Sequence, residues 1–338
     1  MVKNRIKYID MLKFLAIFGV ILIHASYIGD NSKILTITIV NFQQIVRFAV
    51  PVFLMVSGAL LLNKEIDLSV FLKKRLVRIL YPWIFFTFLI YLLGLSYGIE
   101  NLLCAYWYAP LCIGLYLTIP IINKFIQNAS SKELEYYFIL IILSSILYQS
   151  FRMINLKYPI DILFFLSPIS YLYLGYYFFK KEFKLKPSHI ILISLCVFII
   201  STFLKMIIGN SFTEFRTLHT YIDIGFLQII QACSVFIIIK HIYCNRNTGI
   251  LLKIRNLLER DHINRFITSV GRSSYGMYLI QNPLLINVLV PTIRLWPLTG
   301  TQTCLIIILV SISVFLISWI MTLMLSRVPY LKICSGYY

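Results

Sequence analysis

Ten apolar runs, most of them close to the length that crosses a bilayer, recur along this chain at about 9–29, 36–62, 79–98, 104–125, 134–150, 160–179, 189–208, 221–240, 266–290 and 302–325. A membrane-crossing helix needs about 20 apolar residues, so the pattern predicts an all-α, polytopic membrane helix bundle of about ten transmembrane helices. The run at 36–62 is too long for one straight crossing and is expected to protrude or to bend at Pro51. Apolar residues make up 59% of the chain and charged residues 13%, and the mean hydropathy is +0.84. Those values exclude an ordinary soluble domain. The connecting segments are short, with no repeat and no long linker, so residues 1–338 read as a single integral membrane domain.

The net charge of +18 would suggest nucleic acid in a soluble protein. Here the basic residues cluster in alternate loops. With the first residues inside, 22 Lys and Arg fall on the cytosolic side, five fall outside and four lie within runs. That asymmetry is the positive-inside pattern, which places both termini in the cytosol and excludes a nucleic-acid face. The seven cysteines form no C-x-x-C pair, so neither a metal site nor a disulfide framework is expected. The opening run follows Lys3, Arg5 and Lys7, as in a signal peptide, but it is long, lacks an A-x-A site and leads into more runs. It reads as a retained first helix.

Lipid penalises ionisable side chains, so those inside the runs are candidate functional residues. In "YIDMLKFLAIFGVILIHASYIGD" three stand together: Asp10, Lys13 and His24. Eleven helical steps bring His24 to within about 20° of Lys13, with a rise of about 16 Å. Asp10 lies three residues before Lys13, within pairing distance. Of the five histidines only His24 lies clearly inside a run. A hydrogen-bonded structural histidine and a functional one both fit that placement. The second run carries Gln44, Arg47 and Ser57; Arg47 needs a partner or water, and Ser57-Gly58 equally suits close helix packing. In "FLKKRLVRILYPW", Arg75 and Arg78 stand one helical turn apart, with Lys73 and Lys74 beside them. They suit either lipid headgroups and orientation or a phosphate grip.

With these residues in view, the chain resembles the acyltransferase-3 family of integral membrane acyltransferases, in its short single-domain branch that O-acetylates bacterial surface glycans. "RIKYIDMLKFLAIFGVILIHA" resembles the family's first helix, "RFAVPVFLMVSGALLL" its second-helix signature and "KKRLVRILYP" its basic-x-x-Arg element. "YWYAPLCIGLYLTIPIINKF", "YLYLGYYFFKK" and "GRSSYGMYLIQNPLL" resemble three later elements. The resemblance implies that His24 is catalytic with Lys13 as its partner in a basic-x10-His motif, and that Arg75 and Arg78 bind acyl-CoA at the cytosolic mouth. The sequence departs from the pattern at Lys13, where Arg is commoner, and at Gln281, where many members have His.

The resulting expectation is a cytoplasmic-membrane enzyme moving an acetyl group, or a relative such as succinyl, from acetyl-CoA to a hydroxyl of a surface glycan or its lipid-linked precursor. His24 would be general base or transient acyl carrier. Asp10 would orient Lys13; Arg75, Arg78 and Lys74 would hold the donor; and Arg47, Gln44 and Ser57 would support the oxyanion or acceptor. No metal and no permanently bound cofactor is expected. The rival reading is a transporter or flippase for a glycan or glycolipid, which buried charges also suit.

Overall fold

The computed structural model describes residues 5–26, 41–93, 106–153, 168–211, 225–244, 249–289 and 300–338. It is 87% helical with no strands among the described residues, which makes the chain all-α. The helices are α1 (Lys7–Ala25), α2 (Ala49–Leu61), α3 (Leu68–Leu92), α4 (Tyr108–Asn128), α5 (Ser131–Met153), α6 (Ile169–Lys180), α7 (Pro187–Ser211), α8 (Phe226–Cys244), α9 (Gly249–Leu258), α10 (Asp261–Pro283) and α11 (Gly300–Arg327). A π-helical turn, Leu284–Leu289, continues α10, and a 3₁₀ turn, Lys332–Cys334, follows α11.

Eight described helices are long and apolar enough to cross a membrane. Two of the ten expected runs are not among them. The described helix in 160–179 is α6, which has 12 residues; residues 160–167 lie outside the described set. The run at 266–290 folds as α10 and the π turn, but α10 carries Asp261, His262, Arg265, Arg272 and a row of hydroxyl and amide residues, so its hydropathy is low. The long run at 36–62 is described from Asn41 and breaks at 47–48, one turn before Pro51. Proline has no N–H to offer the carbonyl four residues earlier, and its ring crowds that carbonyl. For Pro51 that carbonyl belongs to Arg47.

The chain divides into two compact units, and α1 contributes to both. The first holds Met1–Ala16, Arg47–Lys64 and Ile121–Gly271. Within it α2 lies against α6 at the closest possible range. A Cβ on Gly58 would overlap the Leu172 carbonyl, and one on Gly175 would overlap the Met55 carbonyl. Helix α8 is largely buried and packs on α7. Its Gln228 donates to the Arg47 carbonyl at 2.6 Å, so the acceptor that Pro51 leaves open is filled from another helix. Helices α5 and α7 instead expose Ile139, Leu143, Leu192, Ile199 and Phe203. On helices of this apolarity such faces suit hydrocarbon rather than water.

Side chains set several helix ends. Ser130 and Glu133 bond each other's backbone N–H groups at 3.3 and 2.6 Å, a capping box at the start of α5. Asp67 caps α3 by accepting from Val70 N at 2.8 Å. Lys240, counted in the sequence among the orienting charges, donates to the carbonyls of Phe178, Phe179 and Lys181 at 2.8, 2.9 and 2.9 Å. It thereby closes the C-terminal end of α6, where a cation also suits the helix dipole.

The second unit holds Ile17–Val46, Glu65–Pro120 and Arg272–Tyr338. Tyrosines tie its helices together. Tyr275 Oη donates to the Ile79 carbonyl at 3.0 Å, and Tyr108 N donates to Tyr278 Oη at 3.3 Å. Tyr106, 1% exposed, donates to the Leu279 carbonyl at 2.8 Å. Leu279 lies four residues before Pro283, so this bond again fills an acceptor that a proline has left open. The segment after α11 turns back at Gly336, φ +69°, and passes so close to Gly276 that a Cβ there would overlap the Ser335 carbonyl.

Candidate active site

One uninterrupted helix, α1, carries Asp10, Lys13 and His24, as the spacing predicted. His24 lies one residue from its end, partly buried, in the second unit. Its Nδ1 is 2.6 Å from the amide nitrogen of Gln281. Gln281 is 0% exposed, and its amide oxygen has no hydrogen-bond partner among the described residues. The end of α1 is further fixed by Ser26, whose hydroxyl donates to the Ile23 carbonyl at 2.6 Å and accepts from Gln43 Nε2 at 2.9 Å.

Arg75 and Arg78 are partly buried on α3, while Lys73 and Lys74 are exposed. The guanidinium of Arg75 lies 5.8 Å from the Phe71 ring centre, and that of Arg78 lies 5.0 Å from the ring of Tyr338. Tyr116 on α4 interacts electrostatically with both. Burial pushes the Tyr338 phenol up to about 12, against the opposing pull of Arg78, so this ring stays neutral. The Tyr338 backbone N–H donates to the Arg272 carbonyl of α10 at 3.0 Å.

Helix α10 therefore meets both groups within this unit. Through Arg272 and Tyr275 it holds Tyr338 and the Ile79 turn of α3, beside Arg78. Through Gln281 it holds His24. Tyr275, Tyr278 and Gln281 occupy successive turns, spanning about 9 Å of rise. The rings of Tyr275 and Tyr278 stack, with centroids 6.2 Å apart.

The remaining expected residues are distributed as follows. Asp10, Lys13, Arg47 and Ser57 belong to the first unit, and Gln44 belongs to the second. Asp10, 3% exposed, is gripped by Arg5 through two bonds of 2.5 and 2.8 Å, and Thr268 donates to it at 3.5 Å. A bidentate Arg on a buried carboxylate is a strong, directional pair. Ser57 donates to Phe53 O of its own helix at 3.1 Å, and the adjacent Gly58 provides the close approach to α6. Gln44 is buried near its neighbour Gln43, which makes the described bond to the end of α1. Gln281, Arg5, Tyr106 and Tyr338 were not singled out as site residues from sequence. Gln281 was marked there only as a departure from the family pattern, standing where many members have His.

Eight described helices long and apolar enough to cross a membrane, with a histidine–glutamine pair and an arginine pair in one unit, suit a multi-pass membrane protein. The acyltransferase-3 family model, described as an acyltransferase domain, matches residues 6–323. The chain belongs to that family and is a membrane acyltransferase. No curated protein and no solved structure matches it.

Proposed function

We propose that this protein transfers an acetyl group from cytosolic acetyl-CoA to a hydroxyl of a bacterial surface polysaccharide or its lipid-linked precursor. The observation that carries the reading is the pairing of His24 with Gln281 in the same unit as Arg75 and Arg78, in a chain of an acyltransferase family. In this reading Arg75 and Arg78 hold the phosphates of the donor, with Lys74 at their exposed flank. His24 Nε2 takes the proton of the acceptor hydroxyl as that oxygen attacks the thioester carbonyl. The C–S bond then breaks, and the departing thiolate receives the same proton from Nε2, leaving ester and free CoA. Lys13 adds a positive charge to the His24 stripe of α1, and Asp10 holds the start of that helix through Arg5. In this reading the enzyme works in the bacterial cytoplasmic membrane, with its arginine pair toward the cytosol.

Family membership favours this enzyme over the transporter reading. The test is a mass comparison of surface glycans from cells with and without the gene. A loss of one acetyl group per modified residue is expected in its absence, and identical masses would end the assignment.

A further inference from the structure

A histidine is a base at Nε2 only while its Nδ1 carries the ring proton. The group facing Nδ1 therefore decides what His24 can do, and that group is the Gln281 amide. The two ends of a primary amide occupy equivalent positions and exchange by a half-turn of the terminal torsion. With its nitrogen toward the ring, Gln281 donates to Nδ1, confines the imidazole proton to Nε2 and leaves its own carbonyl buried without a partner. With its oxygen toward the ring, it accepts Nδ1–H and frees the Nε2 lone pair. An NH₂ donor then occupies the place where the unpartnered oxygen lies.

We propose that Gln281 is the positioning residue for His24: its carbonyl accepts Nδ1–H, and its remaining NH₂ donates to the carbonyl oxygen of the acyl thioester. This rests on the acyl-transfer reading above. When the acceptor oxygen attacks, the C=O electron pair moves onto the oxygen held by that NH₂, while the hydroxyl proton moves to Nε2. The pair returns as the C–S bond breaks, and the proton passes to the thiolate; Gln281 gains and loses nothing. A neutral amide suits the task at a fully buried position, because it fixes the tautomer without adding a charge that burial penalises. The surrounding structure holds it in place. Leu279, two residues earlier, is bonded to Tyr106, and Pro283, two residues later, marks the change from α-helix to the π turn.

The test uses the full chain in native membranes that hold the acceptor, with release of free CoA thiol from acetyl-CoA as the readout. Gln281→Met keeps the length and apolar bulk but loses both polar ends. It should lower kcat by about 100-fold, the scale seen on removing one oxyanion donor, with KM for acetyl-CoA within about twofold. Gln281→Glu keeps an acceptor for Nδ1–H and loses the donor. It should retain more activity than Gln281→Met and move the acid limb of the pH–rate profile to higher pH, because a carboxylate there stabilises the imidazolium. Wild-type kcat in Gln281→Met overturns the inference. So does an unmoved acid limb in a Gln281→Glu protein that turns over at the Gln281→Met rate. His24→Ala separates this from the underlying reading. Undiminished turnover there ends the acyl-transfer role of His24 itself, whereas lost turnover there with wild-type turnover in Gln281→Met ends the Gln281 role alone.

Discussion

Pro283 and Tyr106 form a pair whose energetics can be worked through. Proline at 283 deprives the Leu279 carbonyl of its helical donor, and the Tyr106 hydroxyl replaces it at 2.8 Å in a site where Tyr106 is 1% exposed. Tyr106→Phe removes one oxygen and leaves that carbonyl buried and unpaired, which costs about 1–3 kcal/mol. At about 2–4 °C per kcal/mol for a larger domain, the apparent Tm in detergent should fall by roughly 2–12 °C. Pro283→Ala restores a backbone N–H that can reach Leu279, so the same Tyr106→Phe change should cost clearly less in that background. The four proteins make a double-mutant cycle, and the coupling should be on the order of 1 kcal/mol. Equal losses in both backgrounds, or no loss in either, would show that the tyrosine does not answer the proline.

Two further predictions concern packing and donor binding. Gly58→Ala places a methyl on the Leu172 carbonyl and should abolish the monodisperse peak in size-exclusion chromatography. Gly114→Ala, where a Cβ meets nothing within 4 Å, should leave it intact or slightly raise Tm. Arg75→Ala and Arg78→Ala should each raise KM for acetyl-CoA by about tenfold or more, as expected for losing a charged phosphate contact. Lys74→Ala, at an exposed side chain, should change it by less than about twofold; equal effects at all three would remove the distinction between grip and flank.

Helical content was legible because about 20 apolar residues in a row leave a membrane chain little choice, and the single helix that carries Asp10, Lys13 and His24 followed from the same run. The hydroxyl-rich α10 was read as a lipid-crossing run, and its hydropathy is lower than that of the eight described helices apolar enough to cross. It joins Arg272, Ser273, Ser274 and Tyr275 to an apolar end, and only its partners explain why those groups are tolerated. The break at 47–48 was expected at Pro51 itself. Proline disturbs the carbonyl one turn earlier, so the kink precedes the residue that causes it. Local spacing put Asp10 within reach of Lys13, and the clamp from Arg5, which precedes α1, was not foreseen. Gln281 lies 257 positions from His24, and no local pattern reports a contact at that separation. Polar residues were thus readable as a set, while their pairing depended on which helices the proline breaks and glycine contacts bring together.

The proposed role of His24 as the base in acyl transfer is tested by acetyl-CoA-dependent thiol release by membranes holding His24→Ala at the wild-type level. Turnover is expected at the background of membranes without the protein, with the variant's apparent Tm close to that of the wild type. Thiol release at the wild-type rate would contradict that role.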